Sequence, residues 1–500
     1  MTINSNFDAI IVGSGMGGMS AAAMLAKDGY KVLILEAALH PGGCSSSYPR
    51  KGYIFESGAT TLIGFDENQP LRKLEEETGI RIPRDELNPS MKVWFDGGAI
   101  TRYKDRFEWI EEAVRVFGNR KGQKKFWNLA FNLSEIVWKV SLKNPTFPPL
   151  NTQDWFRLAT SNSPKDVWVL KYAFKSVKEV AQKCGVDSEQ FLRFLDEQLM
   201  ITAQAKSKDT PFLFGAPGLT YTNYSNFYVP GGLIEMINTI KKYVEAKGGA
   251  LQTKEAVTGI VQESGEFVIK TKKDRVYKAP IVISNIPIWN MPDITLGKIK
   301  SYFEKEAAGF DEAWGAITMG IATTDTYPDN LGIHHQIHLG GKKVPHTNSE
   351  SIFVSMSKRG DSERAPEGER TLNVSCHSSP EVWFGMDDEY EASKKEVHQF
   401  ILAQLKEKLP GFAKSEIKIA DTATPLSWEN WVYRKKGRVG GIPQSMARSL
   451  LNWSPNKTPF KGLYLVGDTT YPGQGIPGVT LSGINVYYRV LKNHKKPVSV

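Results

Sequence analysis

Cysteine is nearly missing from this chain. Cys44, Cys184 and Cys376 lie far apart in 500 residues, with no CxxC pair. That spacing excludes a disulfide framework and a zinc knuckle, and it fits a reducing, cytoplasmic setting. Basic residues are missing from the start: the first lysine is Lys27, so the N-terminus lacks the flank of a signal peptide and the arginines of a transit peptide. Long apolar runs are missing too. The stretch 8–26 comes nearest, but Gly13, Gly15, Gly17 and Gly18 break it into strand, turn and helix. No uninterrupted run of ~20 apolar residues remains to span a bilayer. Internal repeats and low-complexity tracts are absent. RNP-like, zinc-finger and helix-turn-helix signatures are absent as well, which argues against nucleic acid as a partner despite a net charge of +9. No nucleophilic triad is visible, and no set of metal ligands.

What is present is an ordinary globular composition, 41% hydrophobic and 23% charged. The length exceeds what one core of ~250–300 residues sustains, so two intertwined domains are expected. The charge is uneven. Between Arg102 and Lys178, 15 Lys and Arg face 7 Asp and Glu, and five of the twelve tryptophans fall there: Trp109, Trp127, Trp138, Trp155 and Trp168. Basic charge interleaved with amphipathic rings suits the face of an anionic membrane leaflet. The alternative is a solvated helical surface with its tryptophans turned to the core.

Periodicity places a strand at 7–12, a helix at 17–27 and a strand at 31–35, a βαβ unit. A helix is expected at 70–78, capped by Asn68 and ended by Gly79. Residues 96–225 read as helical, broken by the proline-rich loop 144–149. Strands are expected near 255–262, 266–272, 275–278 and 281–284. The charged stretch 358–370 reads as an exposed loop. The chain closes with a strand (462–466), a loop (467–480) and a helix (481–491).

The βαβ unit carries Gly13-Ser14-Gly15-Met16-Gly17-Gly18, a GxGxxG that follows an apolar strand and opens an alanine-rich helix. Gly13 permits the tight turn, Gly15 lets the backbone approach a pyrophosphate, and Gly18 lets helix and sheet pack closely. The helix N-terminus offers N–H groups to phosphates. Glu36, ending the next strand, accepts hydrogen bonds from a ribose diol and repels a 2′-phosphate. The unit alone does not separate FAD from NAD. The flanking pieces do: Pro41-Gly42-Gly43, Glu56-Ser-Gly58, Gly467-Asp468 and Pro477-Gly478-Val479. An aspartate after a strand-terminal glycine can accept bonds from ribityl hydroxyls. A following helix N-terminus stabilises negative charge on an electron-rich ring.

Together these residues resemble the FAD-dependent amine-oxidase superfamily, and within it the branch of phytoene desaturases, carotenoid isomerases and retinol saturases. The resemblance runs from about residue 7 to 492, strongest at the two ends. The stretches 41–65 and 462–483 are similar to prolycopene isomerases. YVPGG (228–232) and YRKKGRVGG (433–441) are similar to the isomerase and 3,4-desaturase groups. Where several relatives place an arginine after the diglycine, Cys44 stands here.

The resemblance implies an α/β fold: a discontinuous Rossmann-type, GR2-like FAD-binding domain (1–95, 226–295 and 455–500) with an inserted α+β substrate domain. The insert comprises a helical, basic-aromatic substrate or membrane region (96–225) and a second substrate part (296–454). It implies non-covalent FAD held by Gly13, Ser14, Gly15, Gly18, Glu36, Gly42, Gly43, Gly58, Val257, Gly467, Asp468, Pro477, Gly478 and Val479, with Val257 on the strand that meets adenine. Cys376, far upstream of Gly467-Asp468, argues against a covalent link. It further implies a carotenoid-type polyene substrate, peripheral contact with a membrane leaflet, and quinone or oxygen as electron acceptor. The activity is isomerisation or desaturation, with saturation of a double bond or a carrier role without turnover as alternatives.

A polyene has few polar handles, so its site is expected to be a long apolar tunnel ending at the flavin. The cofactor carries the hard chemistry. Acid–base candidates are Glu56, Glu429, Tyr433 and Arg434, each with a structural anchor as its alternative. His334, His335 and His338 read as a strand, with His334 and His338 on one face, rather than as a metal site.

Overall fold

The segments Ala9–Val12, Val32–Leu35 and Ile281–Ser284 are apolar on both faces and wholly buried. Such runs suit the centre of a parallel sheet covered by helices. In the computed structural model, which describes residues 3–4, 7–161, 163–309, 313–448 and 453–494, they form one. The spatial order is Ala250–Gln252, Val32–Leu35, Ala9–Val12, Ile281–Ser284, Leu463–Leu465, all parallel. In chain order this is 3-2-1-4-5, the doubly wound arrangement, and the order reverses between Ala9–Val12 and Ile281–Ser284. The helix Met16–Lys27 packs against the terminal helix Ile476–Asn493. The approach is close because Gly483 has no side chain: a Cβ there would strike the Gly17 carbonyl and lie 2.9 Å from the Ala21 amide.

A seven-stranded sheet forms the second half. Its order is Ile417–Ala423, Gly315–Thr324, Glu369–Ser378, Ser351–Met356, His334–His338, Met91–Phe95, Gly98–Arg102. Only the pairing of His334–His338 with Met91–Phe95 is parallel. Side chains alternate across it. Ile317, Met319 and Ile321 join Val397, Ile401 and Leu405 of the helix Tyr390–Lys408 in one core. The helices Arg120–Lys143, Glu189–Thr202 and Phe212–Thr220 share another core with Met91, Val93 and Ile100.

Several expectations need correction. Gly98–Arg102 is a strand, not part of a helical region; it pairs with Met91–Phe95 in a hairpin. Asn68 does not cap the helix Pro70–Thr78. Gln69 occupies that position, and Asn68 adopts φ 59°. The terminal helix begins at Ile476, five residues before the expected start, because Pro477 suits a first helical turn. The charged loop 358–370 is not wholly exposed: Arg364 and Arg370 are buried. Arg364 pairs with Glu56, and Arg370 donates to the Ser357 carbonyl at 2.8 Å.

The tryptophan-rich segment divides. Trp109 and Trp127 are core residues around the fully buried Arg102, whose guanidinium lies 4.2 Å from the Trp109 ring. Trp155 and Trp168 reach the surface. No helix among the described residues is long and apolar enough to cross a membrane.

Candidate active site

The carboxyl ends of the parallel strands converge on one cavity of about 830 Å³. Gly13, Glu36 and Asn285 follow three of those strands and all line it. Gly13 turns with φ 92°, a conformation open to glycine. Gly15 is the N-cap of the helix Met16–Lys27, and a side chain there would strike Asn285. Gly18 faces the Gly13 carbonyl, with room for no Cβ: the clearance is 2.6 Å. Ser14 lies behind the wall. Its Oγ donates to Glu36 Oε2 at 2.6 Å and accepts from the Gly42 amide at 3.0 Å. Glu36 Oε1 accepts from the Ala38 amide at 2.8 Å, so the carboxylate is held at the rim of the cavity. Gly42, Gly43, Gly58 and Val257 line the same space. Gly58 is bare because Trp428 packs 2.6 Å from where its Cβ would be.

The C-terminal segment closes the cradle. Gly467 follows Leu463–Leu465 with φ 108°, and its amide donates to Ser482 Oγ at 3.1 Å. A side chain on Gly17 would come within 3.0 Å of that amide, so the two ends of the chain meet at glycines. Pro477, Gly478 and Val479 form the first turn of the terminal helix and line the cavity. Neither this helix nor Met16–Lys27 has an acidic residue in its first turn. Two positive helix ends therefore face one space, as an anionic ligand requires.

Asp468 accepts from Arg434 Nη2 at 2.7 Å through Oδ2. Its Oδ1 takes no hydrogen bond among the described residues and stays available to a ligand hydroxyl. Burial works against the charge of Arg434, and the Asp468 carboxylate outweighs it, raising the guanidinium above its usual range. The same guanidinium reaches Cys44, whose thiol is pushed up by burial while Arg434 pulls it down. These residues fit a ribityl chain and a ring: an unengaged carboxylate oxygen, a fixed cation, and a cradle from which side chains are excluded.

The other acid–base candidates separate. Glu429 and Tyr433 line the cavity with Arg434. Glu429 Oε1 accepts from the Lys436 amide at 3.0 Å, and Tyr433, 51% exposed, ends the helix Pro425–Val432 at the mouth. Glu56 does not line the cavity. It is buried, paired with Arg364 Nη1 at 3.0 Å and bonded by Ser47 Oγ at 2.6 Å and by the Leu233 amide. That geometry is an anchor between strand Tyr53–Glu56 and the Gly231-Gly232 turn.

From the cradle the cavity extends across the wide sheet. Register places Ala316 opposite His377, Thr318 opposite Ser375, Ser375 opposite Phe353, and Phe353 opposite Gln336. These side chains share one face and form a floor four strands wide, about 14 Å at ~4.8 Å per step. The opposite wall is apolar: Val137, Trp138, Met200, Ile201, Phe214 and Pro217.

Sequence reasoning missed three features here. Asn285 Oδ1 accepts from the Gly18 amide at 3.0 Å, bracing the phosphate helix. Its position after a buried parallel strand, at the switch point, was the available signal. His377 lines the cavity, and burial pushes it down to about 4. Glu197 lines the far end. Nothing local in the sequence marks either. His334, His335 and His338 do form a strand, with burial pushing them down to about 4, 3 and 3.

The model of the family "Flavin containing amine oxidoreductase" matches residues 16–491. The chain is 29% identical over 504 residues to a chloroplastic prolycopene isomerase of Daucus carota, covering 97% of this chain and 80% of that protein. It is 25% identical over 513 residues to an all-trans-retinol 13,14-reductase of Danio rerio, covering 93% and 83%. A putrescine oxidase solved with putrescine bound has the same fold, with a TM-score of 0.63 at 16% identity over 98% of this chain and 100% of that one. The family match supports a flavin cofactor for this chain. On a match that spans nearly its whole length, the chain belongs to the flavin-containing amine oxidoreductase family.

Proposed function

We propose that this protein binds FAD and acts on a long apolar polyene of the carotenoid kind, as a cis–trans isomerase. One observation carries the reading: the flavin cradle opens directly into a cavity with an apolar wall and a floor four strands wide. The 29% identity to a prolycopene isomerase over 97% of the chain supports it. Gly13, Gly15, Gly18 and the helix behind them hold the diphosphate, with Ser14 fixing Glu36 for the ribose. Val257 borders the adenine. Gly42, Gly43 and Gly58 leave room for the ring, and Asp468 takes the ribityl hydroxyls.

When bound, the flavin supplies a reversible two-electron centre. The first turn at Pro477–Val479 and the Arg434 guanidinium favour negative charge beside the ring. The apolar wall from Trp138 to Phe214 excludes water from the polyene.

Desaturation is a second reading, favoured by His377. Its imidazole makes no hydrogen bond among the described residues, lines the cavity, and stays neutral above about pH 4. A ring nitrogen there can accept a proton from an allylic carbon. Product mass separates the two in a carotenoid-making host. Isomers keep the substrate's mass, whereas each desaturation step removes two hydrogens. A protein that retains flavin but leaves cis-polyenes and phytoene-like chains unchanged would overturn both.

Peripheral membrane contact belongs to the same proposal. Trp155, Phe156 and Phe174 are exposed, and the last two are 72% and 77% accessible. Trp168 also reaches the surface, and Lys171 lies 5.6 Å from its ring. Exposed rings with neighbouring lysines suit an anionic leaflet, the source of so insoluble a substrate.

A further inference from the structure

The end of the cavity remote from the flavin is not apolar. Glu197, on the helix Glu189–Thr202, lines it together with Gln336, Ser349 and Ser351. Glu197 is 9% exposed. One carboxyl oxygen, Oε2, accepts from Ser351 Oγ. Gln336 Nε2 donates to the Glu197 carbonyl at 3.2 Å and to Ser351 Oγ at 3.3 Å, and Gln336 Oε1 accepts from Gln198. The polar groups of the set are thus engaged with one another, except one. Glu197 Oε1 makes no hydrogen bond among the described residues.

A hydrocarbon seated against that oxygen would strip it of water and offer no hydrogen bond in return. An apolar-ended substrate would be served better by a leucine. The carboxyl is instead held in place by a bonded serine and glutamine. Burial pushes it above the ordinary carboxyl range, against the pull of Ser351 and Lys206.

We infer that Glu197, Ser351 and Gln336 form a subsite for an uncharged oxygen, a hydroxyl or carbonyl, at one end of the polyene. The inference rests on the polyene reading and narrows it to a chain with an oxygenated terminus. Oε1 accepts from a hydroxyl, or donates to a carbonyl when protonated. A terminal carboxylate would meet another carboxyl group and bind less well. Fixing one end also fixes which carbons lie beside the ring, about 14 Å away at four strands' width.

The test uses flavin-loaded protein and three linear C20 polyenes of identical conjugation: the hydrocarbon, the primary alcohol and the carboxylic acid at pH 8. Binding is read by quenching of tryptophan emission, since Trp138 lies in the cavity wall. The alcohol should bind at least tenfold more tightly than the hydrocarbon and more tightly than the acid. Glu197→Leu should remove that preference by strengthening hydrocarbon binding and weakening that of the alcohol, Ser351→Ala should reduce it, and Glu197→Gln should keep most of it. Equal binding of alcohol and hydrocarbon by the unaltered protein would overturn the subsite alone, as would a preference that survives in Glu197→Leu. Tighter binding of the acid would overturn the uncharged class. Failure of all three to bind would sink the polyene reading, and the subsite with it. Should Glu197→Leu not fold, the ratio in the unaltered protein and its change in Ser351→Ala decide the matter.

Discussion

Asn285 shows how much one side chain can hold. Its amide oxygen takes the Gly18 N–H, and its side chain lies where Gly15 and Gly17 have none. Asn285→Leu keeps the bulk and removes the acceptor. It should cost about 1–3 kcal/mol of stability in urea titrations, the range for a buried donor left unpaired, and weaken flavin retention, whereas Asn285→Asp should restore much of both. Cys44 makes a prediction of opposite kind. It lines the cavity next to a cation, yet burial raises its thiol above the ordinary value. The group is protonated at neutral pH. Alkylation of the Cys44 peptide, followed by mass spectrometry, should be slower at pH 7.5 than that of an exposed thiol and should quicken as the pH is raised. Rapid labelling at pH 7 would mean that Arg434 governs it instead.

At the scale of elements, the contact between the helices Met16–Lys27 and Ile476–Asn493 depends on Gly483. Gly483→Val places a branched side chain against the Gly17 carbonyl. Overpacking costs about 1–3 kcal/mol. Because Gly17 lies beside the Gly467 amide, flavin content should fall along with the denaturation midpoint. The same elements show what a sequence can and cannot reveal. The nucleotide half was readable because its signals are local: apolar strands, a glycine turn, a proline at a helix start. The wide sheet was not, since its seven strands come from six separate stretches of chain and their pairing is decided by tertiary contact. Hence the hairpin Met91–Arg102 was missed. Glu56 was read as an acid–base candidate with a structural anchor as its alternative, and only the fold reveals Arg364, 308 residues away, as its partner. Residues such as Glu197 and His377 become site residues through register, which a single sequence does not display.

For the whole molecule, burial holds His334, His335, His338 and His377 neutral, at about 4, 3, 3 and 4. Unfolding returns each to about 6.5. Below that pH the unfolded chain binds protons the folded one refuses, so stability is lost as pH falls. Each histidine contributes up to about 1.4 kcal/mol per pH unit. The thermal midpoint should be flat from pH 7 to 8 and drop steeply from pH 6 to 4.5, and His335→Gln should lessen the slope. The proposed membrane contact is also tested at the scale of the whole surface. The protein should co-sediment with anionic liposomes at low salt and be released by salt, while the Trp155→Ser, Phe156→Ser, Phe174→Ser triple variant should stay in the supernatant.

The meeting of Gly17 with Gly467 also bears on how the protein is made. The glycine turn Gly13–Gly18 leaves the ribosome 267 residues ahead of Asn285, which braces Gly18, and well ahead of Gly467, beside which Gly17 packs. If the proposed flavin site is right, capture of the cofactor must wait for both partners. A product terminated upstream of Leu463 should then fail to retain flavin.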